Sequence, residues 1–311
     1  MWMVTQRSLG GPEVLEVVRG DRPHPVVNEV VVRVRAAGVN PVDALLRSGF
    51  LRWLGEPPFT LGWDVSGEVV QVAPGVTRFS VGDEVFGMPC IPHPANGYAE
   101  FVSVPSRHLA RKPAGLDHVR AAALPLAGLT AWQALVDTAG VGAGDRVLVH
   151  GGGGGVGHVA VQLAKSRGAE VVTTASLGKH EFVRGIGADE VIDYRAVDFG
   201  SVVAPVDVVL DTVGGATALR SLDVLRPGGL LITLVGMGDE RLFARAAELG
   251  LRCSVLTAEP DHAGLAALAD EVDAGRLRVH VAETVPLHDV ARAHGLIDAG
   301  SGAGKIVLVM D

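Results

Sequence analysis

The chain reads as a two-domain α/β protein, with a β-rich N-terminal part and a doubly wound parallel sheet in its second half. Three observations predict this. At 311 residues the chain has the length of two ordinary domains. Residues 1 to about 115 form short segments with partial period-two alternation, separated by Pro and Gly. From about residue 116, apolar runs of strand length alternate with helical stretches, the signature of a parallel sheet covered on both faces.

In the first part, Glu29–Arg35 alternates in part and reads as a strand. Val65–Val72 is a second, closed by the turn Ala73-Pro74-Gly75; Gly82–Gly87 and Tyr98–Val104 follow the same style. A short helix fits Val42–Arg47. Ala121–Thr138 is rich in Ala and Leu, good helix formers. Strands are then expected at Arg146–His150, Glu170–Thr174, Glu190–Asp193, Val206–Asp211, Leu230–Val235 and Leu251–Leu256. Helices fit between them at Val156–Arg167, Lys179–Ile186, Ala216–Leu225 and Leu242–Leu249. The tail adds helices at Asp261–Ala274 and Leu287–Ala299 and a strand at Lys305–Val309.

Composition narrows the function. A hydrophobic share of 48% and a charged share of 20% argue for packed cores and against disorder. A net charge of −8 and a pI of about 5.8 argue against a nucleic-acid partner, which needs a basic face. Cys90 and Cys253 are the only cysteines, so neither a disulfide framework nor a four-cysteine zinc site is open. The first residues lack the apolar core of a signal peptide. Gly229–Met237, the most apolar stretch, is too short for a bilayer, which takes about 20 residues. The expectation is a cytoplasmic protein without a membrane span.

The most specific motif follows the expected strand Arg146–His150. Gly152, Gly154 and Gly157 form G-x-G-x-x-G and run directly into a helix-like stretch. In that context the glycines permit a tight turn, backbone approach to a pyrophosphate, and close helix–strand packing. The helix N-terminus, with Gly155 and Val156, offers free N–H groups to the phosphates. An NAD site needs a carboxylate about 20 residues on, to accept from the ribose 2′-OH. Here Glu170-Val171-Val172-Thr173-Thr174 ends in Ala175-Ser176, with no acid at its C-terminal end. Ser176 and Lys179 follow instead, suited to donate to and neutralise a 2′-phosphate. Only four of the 27 basic residues are lysines, which sets Lys179 apart; the plainer reading is a solvated residue at a helix start. The cofactor expected is NADPH.

Several stretches together resemble one family. They are Ala37–Asp43, Gly62–Val69, Phe79–Val85, Gly97–Phe101, Val147–Gly157, Gly187–Tyr194, Asp211–Gly215 and Gly304–Leu308. In this order and spacing the chain resembles, over essentially its whole length, the zinc-independent quinone oxidoreductase (zeta-crystallin-like) branch of the medium-chain dehydrogenase/reductase superfamily. The resemblance implies a GroES-like β domain at 1–118, completed by 260–311, and a Rossmann NADPH-binding domain at 119–259. It places Lys179 and Tyr194 around the 2′-phosphate of NADPH, and Val213 among the cofactor contacts. Zinc-dependent relatives place a Cys and a His where this chain has Asn40 and Trp63, neither of them a zinc ligand, so no metal is expected. Alcohol oxidation in this fold relies on a Lewis acid. Without one, substrates that already accept hydride, quinones and α,β-unsaturated carbonyls, are favoured.

Around the expected cleft, Asn40 is the first choice for a catalytic polar contact, with Asp43 orienting it. Equally, Asn40 and Asp43 cap a helix starting at Pro41. Phe50, Arg52 and Trp53 are expected to roof the substrate pocket, with Trp63 beside them; an ordinary surface loop is the alternative. The backbone of Val235 and Met237 is expected beside the nicotinamide. Thr130 and Lys305 are further cofactor candidates, with structural roles as alternatives. Family quinone pockets present tyrosines, and this roof has none, which bears on the quinone more than on the reductase chemistry. Three functions follow: a quinone reductase, an enone or enoyl-thioester reductase, and a catalytically silent NADPH-binding sensor or scaffold. A small-molecule substrate is expected, and a homodimer.

Overall fold

Valine dominates the longest strand, Glu29–Val39, which is buried along nearly its whole length; β-branched side chains pack well on a pleated surface. The structure, a computed structural model, describes residues 1–235, 239–300 and 302–310. It divides into two units, Met1–Leu129 with Glu259–Ala274 and Val279–Asp311, and Thr130–Ala258 with Gly275–Arg278.

The first unit begins with an antiparallel hairpin, β1 (Trp2–Gln6) on β2 (Leu15–Arg19). Then come β3 (Glu29–Val39), α1 (Pro41–Ser48), β4 (Asp64–Val72), β5 (Glu84–Gly87), β6 (Phe101–Pro105) and β7 (Leu109–Arg111). The Ala- and Leu-rich run is not one helix. It splits into α2 (His118–Ala122), α3 (Pro125–Trp132) and a wider π turn, Gln133–Thr138. Asp117 starts α2 by accepting from Arg120 N, and Pro125 cannot continue it. The first unit therefore extends to Leu129 rather than ending near 118, because α2 packs on β3 and β4.

The second unit is a six-stranded parallel sheet. It runs β8 (Arg146–His150), α4 (Gly155–Ser166), β9 (Glu170–Ala175), α5 (His180–Gly185), β10 (Glu190–Asp193), α6 (Phe199–Val202), β11 (Val206–Asp211), α7 (Ala216–Ser221), β12 (Leu225–Thr233), α8 (Glu240–Glu248) and β13 (Arg252–Val255). The spatial order is β10-β9-β8-β11-β12-β13. Leu148, Val172, Val209 and Leu231 come from four adjacent strands and pack with Phe199, Leu222 and Leu242 in one core. Strand order reverses direction between β8 and β11, the place where open parallel sheets bind ligands beyond their carboxyl ends.

The tail supplies α9 (His262–Asp273), β14 (Val281–Pro286), α10 (Val290–Asp298) and β15 (Lys305–Val309). It completes the first unit's seven-stranded sheet, ordered β14-β15-β3-β4-β5-β7 with β6 also on β3. β15 runs antiparallel to β3, Ile306 opposite Val39, which carries Lys305 to the start of α1.

Candidate functional site

In the second unit the glycine-rich turn is held from beneath by β9. Gly151 N donates to Thr174 Oγ1 at 3.2 Å and Gly152 N to Thr174 O at 3.1 Å. A Cβ on Gly152 would lie 2.0 Å from Thr173 Oγ1, and one on Gly157 would lie 2.2 Å from Gly151 O. Only hydrogen fits at either place. The N-cap of α4 is Gly154, which has no side chain to satisfy the first N–H groups. The start of α4 thus presents backbone N–H groups that the helix itself cannot satisfy, at the positive end of a helix dipole. This fits the pyrophosphate of a dinucleotide.

Lys179 bends back over that turn. Its Cδ lies 2.7 Å from where a Cβ on Gly153 would stand, so the aliphatic stem covers the backbone and the ammonium stays at the surface. Burial, then the neighbouring Arg195 charge, holds that ammonium below the ordinary lysine range. Ser176 is half-buried one residue beyond β9, and Tyr194 stands 53% exposed just past β10. Neither Ser176 Oγ nor Lys179 Nζ has a hydrogen-bond or ion-pair partner among the described residues.

The next two strand ends meet as well. Asp211, fully buried, accepts from Val213 N and Gly214 N at 3.0 Å and from Thr233 Oγ1 at 2.8 Å. A Cβ on Gly214 would lie 2.6 Å from Val235 Cγ2. Val235 thus lies against Gly214, and Val213 and Val235 are both exposed apolar side chains just beyond β11 and β12. Met237 lies outside the described residues. Thr130 is buried within α3.

In the first unit, Asn40 and Asp43, which sequence already pairs, form one buried network with Asp64 and Lys305. Asn40 caps α1, with Pro41 at N1 and a capping box to Asp43. Asp43 accepts from Asn40 N at 2.7 Å and from Gly62 N at 3.1 Å. Asn40 Nδ2 donates to Asp64 Oδ2 at 2.9 Å. Lys305 Nζ donates to Asn40 Oδ1, to Val39 O at 3.1 Å and to Asp64 Oδ2 at 3.2 Å. Leu126 N closes the set on Asp64 Oδ1 at 2.6 Å. Burial, with Asp64 adding, raises the Asp43 carboxyl to about 7 against the opposing Asn40 N–H, Tyr98 and Lys305.

The surroundings of four expected site residues are these. Asn40 and Asp43 are buried, and their polar atoms hold α1 and Asp64. Lys305 turns its three ammonium hydrogens to three protein oxygens. Trp63 is fully buried, with Nε1 donating to His93 O at 3.1 Å.

The roof residues differ. Phe50 is 79% exposed and Trp53 half-buried. Arg52 is exposed but paired with Glu56 at 2.9 Å. Arg47 is buried, donating to Gly10 O at 3.1 Å and Asp298 Oδ2 at 2.8 Å. Among the described residues no three His, Cys, Asp or Glu side chains gather as a metal needs, and no helix is long and apolar enough to cross a membrane. Sequence reasoning missed Thr174, which anchors the glycine turn, because its place under the turn depends on strand pairing.

An alcohol dehydrogenase GroES-like domain model matches residues 27–114, and a zinc-binding dehydrogenase model matches residues 186–308. A 2-haloacrylate reductase of Burkholderia sp is 36% identical over 96% of this chain and 96% of its own length. The quinone oxidoreductase of Coxiella burnetii superposes with a TM-score of 0.95 at 35% identity, covering 100% of this chain and 99% of that one. Escherichia coli quinone oxidoreductase, solved in complex with NADPH, superposes at 0.89 with 28% identity, covering 99% of this chain and 100% of that one.

Proposed function

Because the chain belongs to the zinc-independent quinone oxidoreductase branch of the medium-chain dehydrogenase/reductase superfamily, we propose that it is an NADPH-dependent reductase of quinones or related α,β-unsaturated carbonyls. The observation that carries this is the pairing of an uncapped α4 N-terminus with Lys179 laid across Gly153, at a strand end that has no acid. Bound NADPH supplies the hydride. The chain's own part is binding and orientation. The N–H groups of Gly155, Val156 and Gly157 hold the pyrophosphate. Ser176 and Lys179 hold the 2′-phosphate, with Tyr194 beside them. Val213 and Val235 give the nucleotide an apolar flank. With Asn40, Asp43 and Lys305 bound to one another, the proton that follows the hydride comes from water.

A quinone or simple enone is favoured over a carrier or CoA thioester. Such a polyanionic thioester needs free cations at its entrance, and the two arginines of the roof segment are neutralised by Asp298 and Glu56. We place the protein in the cytoplasm, as a homodimer joined along the edge strand β13; sedimentation at the mass of a single 32.2-kDa chain would remove the dimer.

The test is NADPH oxidation over a panel of 1,4-quinones, small enones and enoyl thioesters. Quinones or enones are expected to be reduced fastest. Fastest turnover of thioesters shifts the substrate class. NADPH binding with no oxidation across the panel makes the protein a silent binder and ends the reductase reading.

A further inference from the structure

We propose that Arg195 is a second cation of the 2′-phosphate site and sets the preference for NADPH together with Lys179. The inference rests on the NADPH reading above and adds a residue to it.

The geometry comes from strand pairing. β10 runs parallel to β9, with Ile192 opposite Thr174 and Asp193 opposite Ala175. The chain leaving β10, Tyr194-Arg195, therefore emerges beside the chain leaving β9, Ser176-Leu177. Arg195 is exposed, and its guanidinium stands 5.5 Å from the ring centre of Tyr194. That aromatic face is a platform that limits where the cation can point. The nearest acid in sequence, Asp193, turns its Oδ1 to the Arg195 backbone N–H at 3.0 Å. The guanidinium itself has no hydrogen-bond or ion-pair partner among the described residues. Most arginines near acids in this unit are paired, as Arg146 is with Glu190, Arg220 with Asp198 and Arg226 with Asp207. Two neighbouring cations left without a counter-charge repel each other; burial is the main cause that holds the Lys179 ammonium below the ordinary lysine range, and the Arg195 charge adds to it. A dianionic phosphate between them removes that repulsion and accepts from both. A ribose 2′-OH offers no such gain, so the pair discriminates between the two nucleotides.

The experiment titrates NADPH, NADH, adenosine 2′,5′-bisphosphate and AMP into wild type, Arg195→Ala, Arg195→Lys and Lys179→Ala at two salt concentrations. Arg195→Ala is expected to raise the Kd of both 2′-phosphorylated ligands about five- to tenfold and to leave NADH and AMP within about twofold. It should also flatten the salt dependence of NADPH binding, and Arg195→Lys should restore part of the loss. Unchanged affinity for the 2′-phosphorylated ligands, or equal losses for all four, overturns the role of Arg195. If Lys179→Ala alone loses NADPH preference, Arg195 is excluded while the NADPH reading stands. Wild-type protein with no preference between NADPH and NADH sinks both.

Discussion

Lys179 and Lys305 are two of only four lysines, and their surroundings send them to opposite tasks. Lys179 has its stem on Gly153 and, among the described residues, its ammonium has no partner, the state of a cation waiting for an anion. Lys179→Ala is expected to weaken NADPH binding about tenfold and leave NADH nearly unchanged; equal weakening of both in a fluorescence titration would remove it from the 2′-phosphate. Lys305 already has three oxygens and only 4% of its surface exposed. Lys305→Met leaves buried Asp64 without its cationic partner and short of a donor, at a cost of about 3–5 kcal/mol. A second change, Asp64→Asn, should recover part of that loss in thermal unfolding; additive losses in the double variant would mean that the two residues are not coupled. Sequence points to Lys179 as the cation of the proposed 2′-phosphate site, because the absence of an acid after Thr174 is a local fact. It does not show the role of Lys305, because Asp64 lies 241 residues away and meets it only when β15 pairs with β3. Asn40 likewise meets Asp64 and Lys305 only in the folded chain, so sequence leaves both of its readings open.

The element most legible in sequence is the β8-turn-α4 unit, because each of its glycines answers a steric demand. Gly157→Ala places a Cβ 2.2 Å from Gly151 O and 2.7 Å from Gly152 Cα. Both obstacles are backbone, so α4 must move off the turn. The expected cost is about 1–3 kcal/mol of stability, together with loss of nucleotide binding; retained NADPH affinity with an unchanged melting temperature would contradict the cradle. Strands covered on both faces, such as Val206–Asp211, were equally plain as continuous apolar runs. Edge and irregular elements were not. β14, Val281–Pro286, lies at a sheet edge and is mostly not buried, so its apolar pattern is weak. β12 begins at Leu225 rather than Leu230 because Arg226-Pro227-Gly228-Gly229 reads as a turn, yet a shift of register on β11 absorbs it. The hairpin of β1 and β2 also escaped, since neither strand alternates regularly.

At the scale of the whole molecule, buried titratable groups set how the fold responds to acid. His150 is buried between Thr174 Oγ1 and Ser221 Oγ, and burial lowers it to about 4. His294 lies against Arg47, and burial with that charge lowers it to about 3. An unfolded histidine titrates near 6.5. Each imidazole therefore contributes stability that is full above about pH 6.5 and is lost as pH falls toward the folded values. His118 is pushed the same way, by burial. Asp43 works in the opposite sense. Its carboxyl is raised from 3.8 to about 7, so its contribution is full below about pH 4 and is lost as pH rises through 7. Between pH 6.5 and 5 two or more imidazoles are set against one carboxyl. Acidification should then lower stability with a net slope of about one proton, on the order of 1 kcal/mol per pH unit. Surface carboxylates such as Asp83, held low by Arg111, enter only at more acid pH. Asp43→Asn removes the opposing group and should make the slope about twice as steep, whatever it does to stability at neutral pH. The measurement is the melting temperature of both proteins at intervals across this range. A wild-type melting temperature that rises on acidification would mean that the buried imidazoles do not set the slope, and an Asp43→Asn slope parallel to wild type would show that Asp43 does not hold a proton in the folded protein.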